Sequence, residues 1–211
     1  MEGVKRMAII AKEEAGTAFA PIEAGSYPAR CYGVVLIGTS YDEMYKKTQC
    51  KVLLQFEFPS ETIDAPESEY HGQPYGLSKF YTLSLHEKSN LRADLERWRN
   101  KPFTQEELNG FDLKNVIGAP CMIAVTKKDN GKSQISSVSA LVKGMKVAPQ
   151  INPTRYFDFD DMTHFDDLPN GIQDLIKKSD EYRLKFESGS GQAQGMEEPP
   201  PTFDESDEIP F

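Results

Sequence analysis

The chain has 211 residues, a net charge of −9 and 38 % apolar residues, a balance too polar for one compact globule, so an ordered domain is expected beside sequence with no core of its own. Cys31, Cys50 and Cys121 lie far apart with no C-x-x-C pair, which excludes a zinc ribbon or disulfide framework and fits a reduced, cytoplasmic setting. The apolar run at residues 7–11 is stopped by Lys12, Glu13 and Glu14, well short of a signal peptide or membrane span, so a soluble protein with no membrane partner is expected.

The charge is unevenly placed. Residues 1–24 carry 3 basic and 4 acidic side chains, residues 25–147 carry 16 and 14, and residues 148–211 carry 5 and 15. The middle of the chain is therefore mildly basic, and the acidity belongs to the last third.

After an N-terminal arm, residues 1–19, a first strand is expected in SYPARCYGVVLIG, which begins at Ser26, is rich in β-branched and aromatic residues, and closes on Gly38. The polar segment TSYDEMYKKTQ leads into CKVLLQFEF. There Cys50, Val52, Leu54, Phe56 and Phe58 alternate with Lys51, Gln55 and Glu57, the period of a half-buried second strand with Phe56 and Phe58 in the core. Residues 59–76 read as a long loop and LSKFYTLSL as a third strand. In that strand Tyr81 shares parity with Leu77, Leu83 and Leu85, whereas Phe80 falls with Ser78, Thr82 and Ser84. Tyr81 is thus a core candidate as much as a stacking platform, and Phe80 is an aromatic on a polar face.

A helix follows, with Ser89 as N-cap and Leu91, Leu95 and Trp98 on one face; Thr104 and Glu107 form a capping box for a short second helix ended by Gly110. CMIAVTKK and SQISSVSAL are the last two strands, joined through Asp129, Asn130 and Gly131, residues that tolerate the positive φ of a hairpin turn. The order predicts a mainly β chain: a five-stranded OB-fold barrel with a helix between strands 3 and 4, spanning residues 20–147. Residues 148–186 form an acidic extension with a helix over 171–186, and residues 187–211, rich in Gly, Ser, Gln and Pro, form a disordered linker and acidic tip.

His71, His86 and His164 have no catalytic motif around them. Asp158, Asp160, Asp161, Asp166 and Asp167 suit a solvated or electrostatic role better than magnesium ligation, so neither enzyme activity, a metal nor a cofactor is expected. The stronger pattern joins rings to cations, because a single strand needs flat surfaces for unstacked bases and positive charge between them. The candidates are Arg30, Tyr32, Tyr41, Tyr45, Lys46 and Lys47 from the first strand and its loop; Lys51 from the second strand; Tyr75, Lys79, Phe80 and Tyr81 around the third; and Lys127, Lys128 and Lys132 in the last hairpin. They occupy the segments with which such a barrel meets nucleic acid.

The terminus Asp207, Glu208, Ile209, Pro210, Phe211 resembles the C-terminal tip of bacterial single-stranded-DNA-binding proteins, where acidic residues precede Ile-Pro-Phe. The resemblance implies docking on replication, recombination or repair proteins, with Phe211 as anchor, Ile209 and Pro210 as shaped apolar contact, and Asp204, Glu205, Asp207 and Glu208 as steering charges. The body, including YTLSLHEKSNL and FDLKNVIGAPC, is similar to phage-encoded single-stranded-DNA-binding proteins. The expectation is therefore sequence-tolerant binding and protection of single-stranded DNA, with partners recruited through the tip. Rival readings are an adaptor or inhibitor that captures host replication proteins without binding DNA, a strand-annealing mediator, and a nuclease. Sheet edges in this fold also permit a homo-oligomer.

Overall fold

The computed structural model describes residues 19–43 and 46–186. In chain order these form β1 (Gly25–Asp42), β2 (Lys47–Thr62), β3 (Pro74–Thr82), α1 (Asn90–Arg99), α2 (Gln105–Asn109), a 3-10 turn at Leu113–Val116, β4 (Pro120–Lys127), β5 (Ser133–Ser139), β6 (Arg155–Phe157), α3 (Asn170–Lys177) and α4 (Asp180–Phe186). The main sheet has the order β3-β2-β1-β4-β5, and each neighbouring pair is antiparallel. β1 is long enough to serve both halves: residues 25–30 pair with β4 and residues 30–42 with β2.

Two expectations are corrected. The sheet has six strands, because Arg155–Phe157 of the acidic extension pairs parallel with Gly33, Val34 and Val35 of β1. The sheet also stays open: among the described residues β3 and β5, the two ends of the strand path, share no ladder. Side chains join them instead. Lys79 Nζ on β3 donates to the carbonyl of Ser136 on β5 at 3.1 Å and to Asp94 of α1 at 2.9 Å.

The inner face carries Val34, Val52, Leu54, Phe56, Phe58 and Tyr81, packed against Leu91, Leu95 and Trp98 of α1 and against Ile123, Val125, Ile135 and Val138. The i, i+4, i+7 spacing on α1 aims its apolar stripe at this core. The helix ends at Asn100, whose φ of 52° closes it in the left-handed region. The capping box of α2 is present, with Thr104 and Glu107 each bonding the other's backbone N–H.

The outer face explains why β2 is not the half-buried strand its alternation predicts. Val35, Ile37 and Leu53 form a second core with Phe157, Phe165, Leu168, Ile172 and Ile176 of the extension. Lys51, Gln55 and Glu57, expected in water, are 4 %, 0 % and 0 % exposed. Each is met by a partner elsewhere in the chain, Gln55 through its oxygen alone. Lys51 pairs with Asp42 at 3.0 Å, Gln55 Oε1 accepts from Arg155 at 3.1 Å, and the Glu57 carboxylate accepts from Ile151 N, Asn152 N and Asn152 Nδ2, all at 2.7 Å.

Two glycines permit this close cover. A Cβ at Gly33 would lie 2.5 Å from Gln55 Oε1, and one at Gly38, where φ is +98°, would lie 2.6 Å from Ser179 Cβ. Beside Gly38, Thr39 donates through its N–H and hydroxyl to Glu181 of α4 at 2.7 and 2.6 Å. The single helix expected over 171–186 is two helices, α3 and α4, broken where the buried Ser179 donates to Ile176 O at 2.6 Å and accepts Tyr182 N–H at 3.2 Å. No helix of the described residues is long and apolar enough to cross a membrane.

Candidate nucleic-acid interface

On the outer face, Gln49, Lys51 and Leu53 of β2 have one parity, and Lys51 and Leu53 pair with Thr82 and Phe80 of β3. The extension covers the part of this face around Leu53. Beyond it lies a groove of about 450 Å³, lined by Lys47, Gln49, Phe80, Tyr81, Thr82, Ser84, His86 and Lys88, with Ser89 and Asn90 at its helical end. Strand parity places Phe80 and Thr82 here, and the β1–β2 turn brings Lys47 in.

The groove is built from short local bonds. Thr82 Oγ1 donates to Gln49 Oε1 at 2.6 Å, and Ser84 Oγ accepts the His86 N–H at 3.2 Å. His86 Nδ1 accepts the Lys88 N–H at 3.3 Å, so the neutral ring carries its proton on Nε2. Phe80 is half-buried, resting on the second core while lining the groove. A ring, two lysines and a set of hydroxyl and amide groups suit an anion attached to a flat apolar body.

The predicted residues divide sharply. Lys47, Phe80 and Tyr81 line the groove. Tyr81 borders the groove while its buried ring belongs to the inner core; its hydroxyl donates to Asp94 at 2.7 Å, and burial, reinforced by that carboxylate, holds its phenol far above the usual range. Lys46, exposed with φ of 49°, and Tyr41, half-buried opposite Thr48, sit by the β1–β2 turn. Tyr45 and the tip Asp207, Glu208, Ile209, Pro210 and Phe211 lie outside the described residues.

The remaining candidates lie away from the groove, most of them engaged within the fold. Arg30 holds the carbonyls of Ala148, Gly118 and Val147 at 2.7, 2.8 and 3.3 Å. Tyr32 is 4 % exposed with the Arg155 guanidinium 5.9 Å from its ring centre, and burial pushes its phenol up. Lys51 and Lys79 are paired with Asp42 and Asp94. The Tyr75 hydroxyl donates to Ala20 O at 2.8 Å, and Lys127 bonds Pro21 O at 3.2 Å and approaches Glu23 at 3.5 Å. Lys128 and Lys132 form the turn of the last hairpin, the Lys128 N–H bonding Lys132 O at 2.8 Å, and they do not line the groove.

Sequence reasoning missed Gln49, Thr82, Ser84, His86, Lys88 and Asn90. The usable signal was LHEKSN, a short polar stretch with Lys88 placed between a strand and a helix start. Comparison with protein families, with curated proteins and with solved structures gives no match for this chain.

Proposed function

We propose that the protein binds single-stranded DNA in a sequence-tolerant way and protects it during replication, recombination or repair, as in a phage-infected cell. The observation that carries this reading is the groove itself, whose lining brings Phe80 together with Lys47 and Lys88 beside the outer face of β2 and β3. A base stacked on the ring leaves its flanking phosphates within the field of the lysines. The strand order with α1 between β3 and β4 agrees with the order expected of an OB barrel and supports this reading, as does a groove on the outer face of β2 and β3, the face with which that fold meets oligonucleotides. The tip at residues 207–211 would recruit replication or recombination proteins by inserting Phe211 into an apolar pocket.

Fluorescence anisotropy with labelled single-stranded and duplex oligonucleotides, with and without magnesium, tests the reading. Single strands should bind at low salt, duplex much more weakly, and intact oligonucleotide should be recovered in both buffers. Replacing Lys47 and Lys88 by Ala together should flatten the log–log salt dependence by about 1.4, at roughly 0.7 per phosphate released. No single-strand binding would favour the adaptor reading, and magnesium-dependent cleavage the nuclease.

A further inference from the structure

His86, in the loop that carries β3 into α1, is exposed and lines the groove. Three of its four hydrogen-bonding groups are engaged within that loop. Its N–H donates to Ser84 Oγ at 3.2 Å, its carbonyl accepts the Ser89 N–H at 2.9 Å, and Nδ1 accepts the Lys88 N–H at 3.3 Å. The loop is tied again by Ser89 Oγ, which donates to Ser84 O at 2.6 Å, and by Arg92, which donates to Leu85 O at 3.3 Å. These bonds set the tautomer and tether the ring, which lowers the ordering cost of binding through it.

The fourth group, Nε2–H, has no partner among the described residues. Lys47 and Lys88 of the same lining supply charge for phosphates, and a neutral donor beside them suits a neutral acceptor. The edge of a base lying on Phe80 offers one, and the bases differ in it. Thymine and guanine carry a carbonyl where cytosine and adenine carry an amino group. A tethered donor meets the carbonyl and opposes the amino hydrogens.

We infer that His86 is a specificity-determining residue of the groove, its Nε2–H favouring thymine and guanine over cytosine and adenine at the position stacked on Phe80. This role rests on the single-strand reading. It gives an otherwise sequence-tolerant site a modest bias, because stacking accepts every base and only one hydrogen bond discriminates.

The test is fluorescence anisotropy on the full chain with labelled oligothymidine and oligocytidine of equal length, for the wild type and for His86→Asn. The Asn side chain keeps an acceptor oxygen close to the place of Nδ1, so the loop stays tied, and it withdraws the donor at Nε2. The wild type should bind oligothymidine about fivefold more tightly than oligocytidine, the scale of one neutral hydrogen bond. His86→Asn should bring that ratio close to one and leave the salt dependence unchanged, since no charge is removed. His86→Phe keeps a flat ring without a donor and should lose the preference too; a preference retained there assigns the effect to stacking and overturns the role. Long-range ¹H–¹⁵N spectra of the wild type, independent of any variant, should show the Nε2–H tautomer and a shift of Nε2 on adding oligothymidine. A ratio unaltered in His86→Asn, or an Nε2 signal indifferent to oligothymidine, overturns the role of His86 and leaves single-strand binding standing. Binding of neither strand by the wild type removes the single-strand reading and this role together.

Discussion

Phe80 and Tyr81 are neighbours with opposite surroundings, because successive side chains of a strand point to opposite faces. Tyr81 enters the inner core and Phe80 the groove. Phe80→Ala should therefore weaken single-strand binding by about 1–3 kcal/mol, the usual worth of a base–ring stack, as read by anisotropy. Tyr81→Phe should leave affinity almost unchanged and lower stability by removing a donor from Asp94. Glu57 is a sharper structural case, since its buried carboxylate accepts three N–H groups from Ile151 and Asn152. Glu57→Gln sets an amide donor against those donors, and a urea unfolding curve should show a loss of about 1–3 kcal/mol. The thiols follow burial as well. Burial, only partly offset by bonds from the backbone of Gly33 and Gln55, pushes Cys31 up to about 12, and burial raises Cys121 far above its ordinary value. Both should resist alkylation at pH 8 until the protein is unfolded, with mass spectrometry locating the modified residues.

At the scale of elements, the extension is part of the core. β6 completes the pairing of β1, and Phe157, Ile172 and Ile176 are as deeply buried as any strand residue. Ile172→Ala should cost about 2–5 kcal/mol by opening a cavity between α3 and β1. Ending the chain at residue 147 should do more, because Val35, Ile37 and Leu53 would face water and Glu57 would lose its three N–H donors. The expected outcome is an aggregated or unfolded product, seen by circular dichroism and size exclusion. A folded fragment binding as well as the full chain would show that the extension is an accessory.

For the whole molecule, the separation of charge matters most. Residues 148–211 carry 15 acidic side chains against 5 basic ones, and the groove with Lys47 and Lys88 is where acidic chain would compete with DNA. Deleting residues 198–211 should strengthen single-strand binding at low salt, with the gain fading as salt screens the charges. Equal or weaker binding in the shortened chain would count against that competition. The melting temperature should not change, since the second core is made by residues 35–176.

Local sequence was enough for the succession of strands, the place and stripe of α1, the capping box at Thr104 and the final hairpin. Each depends on residues within one or two turns, or on a period that local geometry imposes. It also marked Phe80 as out of place on a polar face. Tertiary structure shows which cations are engaged within the fold, because their partners come from other segments: Asp42 for Lys51, Asp94 for Lys79, and the carbonyls of Val147 and Ala148 for Arg30. It shows equally that the outer face around Val35, Ile37 and Leu53 is covered and that a groove lies beside the start of α1. Composition could not reveal this, since an acidic segment with scattered phenylalanines reads as solvated until Gly33 and Gly38 are seen to let it close on the sheet.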